Sequence, residues 1–400
     1  MSAVGIICEY NPFHNGHKYQ LEMCRKGQGK DTVVICVMSG DFVQRGEAAM
    51  YSKFARAEAA CRSGADLVVE LPLEWAMAPA EKFAYGAVSM LSALGVDELC
   101  FGSECGDVEV MTRAVDAIMD SRTDKIIKNI MKEKPELPYA AAREKAVELV
   151  EGEKVSAVLR KPNNILGIEY IKASRLLGSN MKISTVTRVG SGHDQKGDTD
   201  FRSASELRDM ISAGQDIIGL VPETAREIYI KERQQGRELS DKSYFETAVL
   251  SRLRMMEEDA FLELPDAEEG LCRRIYKAVR TEPELSAVYD AAKTKRYSHA
   301  RIRRLCISAA LGLKKNDGKD APPYARILAA NEYGRSYLRE IKDICCLPVI
   351  TKPADVRQYS QKIQDVFATG ASAHDLYVLS YAKKCPTSCG EDWRRGPVIV

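Results

Sequence analysis

The chain has 400 residues, of which 45% are hydrophobic and 29% are charged, and its formal net charge is +1. This length predicts two or three domains, and the balanced charge does not by itself indicate a polyanion partner. No stretch approaches the roughly 18 apolar residues of a membrane span, and no secretory leader is recognisable, so we expect a soluble, cytoplasmic protein with no membrane partner.

The N-terminal half alternates predicted strands with predicted helices. Apolar runs predict the strands, and the stretches between them have the composition of helices. The strands are predicted at 4–8, 33–38, 67–71 and 98–101, and the helices around 14–26, 52–63 and 79–94. Such alternation predicts an α/β fold with a Rossmann-like parallel sheet, whose ligand site lies at the carboxyl ends of the strands.

The second half is predicted to be mostly helical. Residues near 107–150 look helical, with a break at Pro135 and Pro138, and a late strand is predicted at 183–188. After about residue 215 the strand pattern fades into charged, helix-periodic sequence up to about residue 340, and residues 347–350 then predict a strand that returns to the first domain. We therefore expect an α/β domain over 1–215, a mostly helical domain over 216–345 and a C-terminal segment over 346–400.

The most informative motif is Y-N-P-F-H-N-G-H at residues 10–17, directly after the first predicted strand. A helix that begins near Asn15 would direct its free N–H groups at an anion, with His14 and His17 one turn apart on the same side. Gly16 between them would let a nucleobase or phosphate approach the backbone. An H-x-G-H element in this setting is the ATP-handling motif of class I aminoacyl-tRNA synthetases and related nucleotidyltransferases.

The histidine pair has two other possible interpretations, as metal ligands or as ordinary surface or capping residues. Histidines at helical spacing also serve as metal ligands, but a third ligand and an H-E-x-x-H glutamate are both missing nearby. They also occur as ordinary surface or capping residues. The preceding apolar strand, the Asn-Pro turn and the glycine between them favour phosphate chemistry over both alternatives.

Polar residues follow the other predicted strands, where a core would not need them. Side-chain amides at Asn163 and Asn164 precede a helix, where they also suit simple helix caps. Hydroxyls and an arginine in S-A-S-E-L-R at residues 203–208 predict a second anion site at a helix start. Gln44, Arg45 and Arg188 are further polar residues at the ends of predicted strands. Gly102, after the fourth strand, would let the backbone approach an adenine.

The twelve cysteines are scattered through apolar segments. Residues such as Cys8, Cys36, Cys61 and Cys100 are interpreted as small hydrophobic residues in a reducing compartment. A possible cluster combines Cys385 and Cys389 with Cys345, Cys346 and His374, but C-x-x-x-C alone is a weak zinc signature, and we predict no metal ligands in the chain.

A basic run lies at residues 293–304, with the sequence K-T-K-R-Y-S-H-A-R-I-R-R. Its cations could contact phosphates while Tyr297 and His299 stack on unpaired bases. The alternative is a solvated helix face, the usual role of a charge run. The candidate RNA-binding residues are Lys293, Lys295, Arg296, Arg301, Arg303 and Arg304.

Taken together, these segments closely resemble the tRNA(Met) cytidine acetate ligase family of the nucleotidyltransferase superfamily. The matching segments are E-Y-N-P-F-H-N-G-H, M-S-G-D-F-V-Q-R-G-E, F-G-S-E, K-P-N-N-I-L-G-I-E-Y, S-A-S-E-L-R and K-R-Y-S-H-A-R-I-R-R, in order along nearly the whole chain. The resemblance implies that ATP activates acetate to acetyl-adenylate. The acetyl group then passes to N4 of the wobble cytidine of elongator methionine tRNA.

The resemblance also assigns residues. It implies catalytic roles for His14 and His17 and tRNA contacts for the basic run. It also implies that Mg²⁺ is used with ATP, and we expect no stable protein partner. The base for acetyl transfer is not identified, and His193 is a guess. A nucleotidyltransferase that adenylates a phosphate monoester is the alternative function. The implied ATP-binding residues are Ile7, Cys8, Glu9, Tyr10, Asn11, Pro12, Phe13, His14, Asn15, Gly16, His17, Lys18, Tyr19, Gln20, Gly102, Asn163, Arg188, Ser203 and Arg208.

Overall fold

The structure, a computed structural model, describes residues 1–26, 29, 31–188, 201–239, 243–383 and 389–400. The strands are β1 Ala3–Cys8, β2 Val33–Ser39, β3 Phe42–Val43, β4 Glu47–Ala48, β5 Leu67–Leu71, β6 Glu98–Ser103, β7 Lys182–Thr187, β8 Ala325–Ala330, β9 Val349–Ile350 and β10 Val398–Ile399.

Helices surround these strands. In the first half they are α1 Asn15–Lys26, α2 Lys53–Arg62, α3 Leu73–Ala76, α4 Ala80–Ala93, α5 Val108–Met119, α6 Ser121–Glu133, α7 Tyr139–Glu151, α8 Glu153–Ser156 and α9 Pro162–Leu176. In the second half they are α10 Ala204–Ser212, α11 Glu223–Gln234, α12 Ser243–Met255, α13 Glu269–Thr281, α14 Leu285–Ala292, α15 His299–Leu311, α16 Glu332–Glu340 and α17 Gln361–Tyr377.

The central sheet has the strand order β10-β8-β5-β2-β1-β6-β7, and β9 pairs with β8. The strands β5, β2, β1, β6 and β7 are parallel neighbours, so the predicted α/β fold class is confirmed. The chain moves from β1 outward to β2 and β5 and then returns to place β6 on the other side of β1. This reversal beside β1 is where ligands bind in open α/β sheets.

The sequence prediction missed β3, β4, β8 and β10, of which β8 is the longest. Residues 325–330 were included in the helix-periodic region, but they form β8, which runs antiparallel to β5. Its sequence, A-R-I-L-A-A, is short and rich in alanine, so its apolar period does not distinguish a buried strand from a helix turn. The sheet is therefore mixed at this edge, and β9 and β10 from the C-terminal segment both join it through β8.

Alternate residues of the strands build two cores on opposite faces of the sheet, as the two-residue side-chain period requires. Val33, Ile35 and Val37 of β2 face α4, α5 and α9. On the other face, Val34 and Cys36 belong to a core that continues through α1 and α2 into α10–α15. The helical region thus packs against the face of the sheet that carries α1. The division at 215 and 345 stays a prediction.

Two further findings concern cysteines and membranes. Cys100 of β6 is paired with Cys24 of α1 as a disulfide, with 6.4 Å between their Cα atoms, so its interpretation as an unpaired hydrophobic residue was wrong. This pairing was not predicted because the two cysteines are 76 residues apart and meet only when α1 packs over β6. Within the described residues, no helix is both long and apolar enough to cross a membrane.

Candidate active site

Two neighbouring cavities of about 320 and 110 Å³ lie at the carboxyl edge of the sheet, beside β1 and β6. Both are lined by His14, His17 and Gln20, and by Gly102, Arg188 and Ser203. Asn163 and Arg208 line the larger one. Of the predicted ATP-binding residues, four line neither cavity: Pro12, Phe13, Asn15 and Lys18. The geometry thus gathers the other predicted residues into one place, while their contacts to ATP stay a prediction.

The two histidines stack on each other. Their ring centroids are 3.7 Å apart and their planes differ by 27°. Tyr10, whose backbone has a positive φ of 49°, packs its ring at 4.8 Å from that of His17. A positive φ is strained for a bulky residue, and such strain is found mainly where the surrounding structure fixes a functional geometry. The imidazole pair is therefore held rigidly at the end of β1.

Backbone hydrogen bonds determine which ring nitrogen carries the proton. The N–H of Gly16 donates to Nδ1 of His14 at 3.1 Å, and the N–H of His14 donates to Nδ1 of His17 at 3.3 Å. A neutral imidazole with an accepting Nδ1 carries its hydrogen on Nε2. Burial and the Arg188 guanidinium lower the pKa of His14 to about 3, and burial, His14 and Arg188 also lower the pKa of His17. Both rings are therefore neutral N–H donors at pH 7.

The start of α1 differs from the prediction in one respect. Its backbone N–H groups are not free for an anion, because Asn15 donates to Leu220 and both His17 and Lys18 donate to the carbonyl of His14. Gly16 makes room for the imidazole of His14, since a Cβ there would lie 2.9 Å from Cε1 of that ring, and it also lines the smaller cavity. Its contact with a nucleobase or phosphate stays a prediction. Side chains, not the helix amides, must therefore supply the donors.

The second predicted anion site is partly occupied by the protein itself. Ser203 begins α10 as its N-cap and accepts from the N–H of Glu206, whose carboxylate accepts from the N–H of Ser203 in a capping box. Arg208 lies one turn further on and donates through Nη1 to the carbonyl of Asn11 at 2.9 Å. This bond joins α10 to the motif after β1, and Arg208 still lines the larger cavity.

Asn163 and Asn164 lie in the first turn of α9 rather than before the helix, and they are not its caps. Lys161 occupies the cap position, and Asn163 donates to Oε1 of Glu104 at 2.7 Å. Oδ1 of Asn164 accepts from the N–H groups of Glu104 and Cys105 at 2.9 and 3.0 Å. These bonds tie the start of α9 to the loop after β6, which places Asn163 at the cavity.

The basic run is less available to RNA than its sequence suggests. Arg301 and Arg304 both pair with Asp266, and Arg303 pairs with Glu47. Tyr297 is buried and hydrogen-bonded to Glu268, so the expectation that it stacks on an unpaired base was wrong. Sequence reasoning missed these pairings because their acidic partners lie far away in the chain.

Lys293, Lys295 and Arg296 of the same run are exposed, although Arg296 contacts Glu268 at 2.6 Å. These three residues thus remain on the protein surface in the loop between α14 and α15, while the arginines within α15 face the rest of the protein. RNA contacts by any of the six predicted residues stay a prediction.

Some cavity residues were not predicted at all. Tyr170 and Leu166, one turn apart on α9, line the larger cavity together with Phe83 and Phe101. Their spacing within K-P-N-N-I-L-G-I-E-Y was a usable signal. A separate cavity of about 460 Å³, lined in part by Glu74 and Lys82, contains none of the predicted site residues. Chemistry is therefore assigned to the cavities that contain the histidine pair.

No metal site was found within the described residues, where no three His, Cys, Asp or Glu side chains are grouped to hold an ion. His374, from the possible cysteine cluster, is bound instead to Asp41 and Glu391. Cys385 and His193 lie outside the described residues. The cavity walls do not form a protein-held Mg²⁺ site, and Mg²⁺ is commonly bound largely by the phosphates of its nucleotide. Its use here stays a prediction.

The fold and the site define a nucleotidyltransferase with an H-x-G-H motif, and comparison with known proteins agrees. Residues 1–392 match the family described as HIGH Nucleotidyl Transferase. A tRNA(Met) cytidine acetate ligase of Acetivibrio thermocellus is 35% identical over 418 residues and covers 100% of both chains. One of Caldanaerobacter subterraneus subsp. tengcongensis is 39% identical over 394 residues, covering 95% of this chain and 96% of the relative.

Structural similarity is equally extensive. The crystal structure of Thermotoga maritima TmcAL bound with alpha-thio ATP matches with a TM-score of 0.91 and 30% identity, covering 100% of both chains. Its apo form matches with a TM-score of 0.92. The chain therefore belongs to the family of tRNA(Met) cytidine acetate ligases within the HIGH nucleotidyl transferases.

Proposed function

We propose that the chain is an ATP-dependent acetate ligase that acetylates N4 of the wobble cytidine of elongator methionine tRNA. The observation that carries this proposal is the pair of neutral imidazoles, His14 and His17, which line a cavity together with Arg188 and Arg208. Donors and fixed cations around a cavity are suited to a triphosphate whose charge shifts as pyrophosphate leaves. The family membership supports the choice of acetate and tRNA.

In the first step, a carboxylate oxygen of acetate attacks the α-phosphorus of ATP, and the bond to the β-phosphate oxygen breaks. The Nε2–H groups of His14 and His17 donate hydrogen bonds to the phosphate oxygens, and Arg188 neutralises charge beside them. Because phosphoryl and nucleotidyl transfer depend mainly on positioning and charge stabilisation, this arrangement is sufficient without a protein nucleophile.

In the second step, the exocyclic amine of cytidine attacks the carbonyl carbon of acetyl-adenylate, and AMP leaves. The amine is a weak nucleophile because its lone pair is delocalised into the ring, so holding it beside the anhydride supplies much of the rate. Lys293, Lys295 and Arg296 are exposed in the loop before α15, where they can contact tRNA phosphates. Because the proposed acceptor is a cytoplasmic tRNA, we propose that the protein acts in the cytoplasm.

Pyrophosphate exchange tests the first step. Acetate and ATP should support exchange without tRNA, and acetyl-CoA should not replace them. Labelled acetate should then appear on elongator methionine tRNA but not on a transcript whose wobble cytidine is changed to uridine. Exchange that requires a phosphate monoester instead of acetate would identify the alternative nucleotidyltransferase, and label on the uridine transcript would contradict the proposed acceptor.

A further inference from the structure

The second step releases a proton that some group must accept. When N4 of cytidine forms its bond to the acetyl carbon, the carbon–oxygen bond of the anhydride breaks, AMP leaves and the amine loses one hydrogen as H⁺. A general base positioned at the amine commonly accelerates such a step by about 10²- to 10⁴-fold. The sequence did not identify this base.

The histidine pair is not suited to this role. The lone pair on Nδ1 of His14 is occupied by the N–H of Gly16, and that of His17 by the N–H of His14. Their Nε2 atoms already carry hydrogens in this tautomer. Burial and Arg188 lower the pKa of both rings further, which makes each a poor proton acceptor.

Three carboxylates line the two cavities, and two of them are engaged elsewhere. Glu47 pairs with Arg303 and lies 4.0 Å from Arg208. Glu206 forms the capping box of α10 with Ser203. These contacts occupy both carboxylates, and the hydrogen bond from the backbone of Ser203 also lowers the pKa of Glu206.

Glu9 is the third carboxylate and differs from both. It follows β1 directly and lines the larger cavity, where its Oε1 accepts from the N–H of Gln44 at 2.8 Å. Across the described part of the chain, Glu9 has no ion pair within 4.0 Å and no hydrogen bond to Oε2. One oxygen thus fixes the side chain, and the other is left for a ligand.

The charged surroundings of Glu9 also suit a base. Burial raises the pKa of its carboxyl above the usual value, although the N–H of Gln44 and the cations Arg45, Arg56 and Arg208 act in the opposite direction. Tyr170 of α9 interacts with it electrostatically. The other titratable groups that line the same cavity are Cys8, Tyr10, His14, His17 and Glu47. A carboxylate with a raised pKa accepts a proton more readily than an exposed one.

We infer that Glu9 is the general base that takes the proton from N4 of cytidine as the acetyl group is transferred. This inference rests on the proposed function, because it assigns the acceptor step of that reaction. It also assigns Glu9 a role other than ATP contact within the motif at residues 7–20, since a carboxylate repels phosphates. His14, His17 and Arg188 then serve the phosphates, while Glu9 serves the amine.

The test separates the two half-reactions in Glu9→Gln. Glutamine keeps an oxygen that can accept from the N–H of Gln44, but its amide is not a base. Acetyl transfer from preformed acetyl-adenylate in a single turnover should fall at least about 100-fold more than acetate-dependent pyrophosphate exchange does. Glu9→Asp should retain more transfer than Glu9→Gln because it keeps a carboxylate. Glu81→Gln, the same change at an exposed glutamate of α4, should leave both rates unchanged.

A pH profile distinguishes a base from a structural residue. Transfer by the unmodified protein should rise as Glu9 ionises, and this limb should be absent in Glu9→Gln. Equal losses of exchange and transfer, or an unchanged transfer rate, would overturn the inference and leave the departing AMP phosphate or water as the proton acceptor. Absence of acetate-dependent exchange in the unmodified protein would instead contradict the proposed function itself.

Discussion

Two buried histidine environments in this protein produce opposite charge states. At the end of β1, burial and Arg188 lower the pKa of His14 to about 3. In α17, His374 lies between two carboxylates, with Nδ1 at 2.8 Å from Asp41 and Nε2 at 3.3 Å from Glu391, and these carboxylates raise its pKa to about 10 despite burial. Burial therefore lowers the pKa of both imidazoles, and the carboxylates beside His374 outweigh that effect, whereas Arg188 adds to it at His14.

The two environments serve different purposes. His374 connects α17 to Asp41 in the loop after β2, beside a buried network in which Lys53 and Arg326 both bind Asp392. This network joins the C-terminal segment to β8 and α2. The neutral pair, His14 and His17, does not belong to this network and lines the cavities at the carboxyl edge of the sheet. The first environment stabilises the fold, and the second is available for chemistry.

The largest effect is expected on breaking the His374 contact. His374→Ala removes the imidazolium that bonds both Asp41 and Glu391, so that Asp41 keeps Lys53 at 3.9 Å and Glu391 keeps Arg395. Removal of one partner from a buried ion pair costs about 3–5 kcal/mol. Denaturant unfolding at pH 7 measures the loss. His299→Ala is the matched control, because that imidazole is partly exposed and 3.6 Å from Asp290, so its change should stay below about 1 kcal/mol.

The pH dependence checks the same contact. The pKa of His374 is about 10 in the folded protein and about 6.5 in the unfolded chain, so its stabilisation is complete below pH 6.5 and is lost as the pH rises through 10. The free energy of unfolding should therefore fall between pH 7 and 10, and less steeply in His374→Ala. Equal slopes for the two proteins would contradict a cationic His374.

A smaller effect, on the catalytic rate, is expected when one histidine of the neutral pair is replaced. His14→Ala or His17→Ala removes an Nε2–H donor from the cavity, and loss of one such donor lowers a rate by about 10²- to 10³-fold, or about 2.7–4 kcal/mol. Acetate-dependent pyrophosphate exchange without tRNA measures it. His299→Ala should exchange normally, and near-normal exchange in either site variant would refute the nucleotidyl-transfer role of the pair.

The smallest effect is expected on the exposed part of the basic run. Each phosphate contact contributes about 0.9 to the slope of log K against log salt, so Lys293→Ala with Lys295→Ala should flatten the slope for tRNA by about two. Adenylate formation should persist. Arg301, Arg303 and Arg304 are ion-paired within the protein, so neutralising them should lower stability as well as binding. An unchanged slope in the lysine variant would identify the run as a solvated face.

The amino-acid sequence by itself determined the parallel strands, because β1, β2, β5 and β6 are rich in apolar residues and β7 is rich in β-branched residues. It also determined the position of the site, because H-N-G-H follows the first strand. It also determined the family, through motifs spread along the chain. These features depend on neighbouring residues or on the order of motifs along the chain, so they can be predicted without knowing which residues are in contact.

Tertiary structure alone decided features that depend on distant neighbours. The strand β8 forms because β5 offers it a partner, although A-R-I-L-A-A suits a helix equally well. The arginines of the basic run are paired by Asp266, Glu268 and Glu47, which no local pattern connects to them. Likewise, the neutral state of His14 depends on its burial and on Arg188, and the accessible oxygen of Glu9 depends on Gln44 binding the other one. Electrostatic environment is a property of packing, so the sequence located the site but could not set its protonation states.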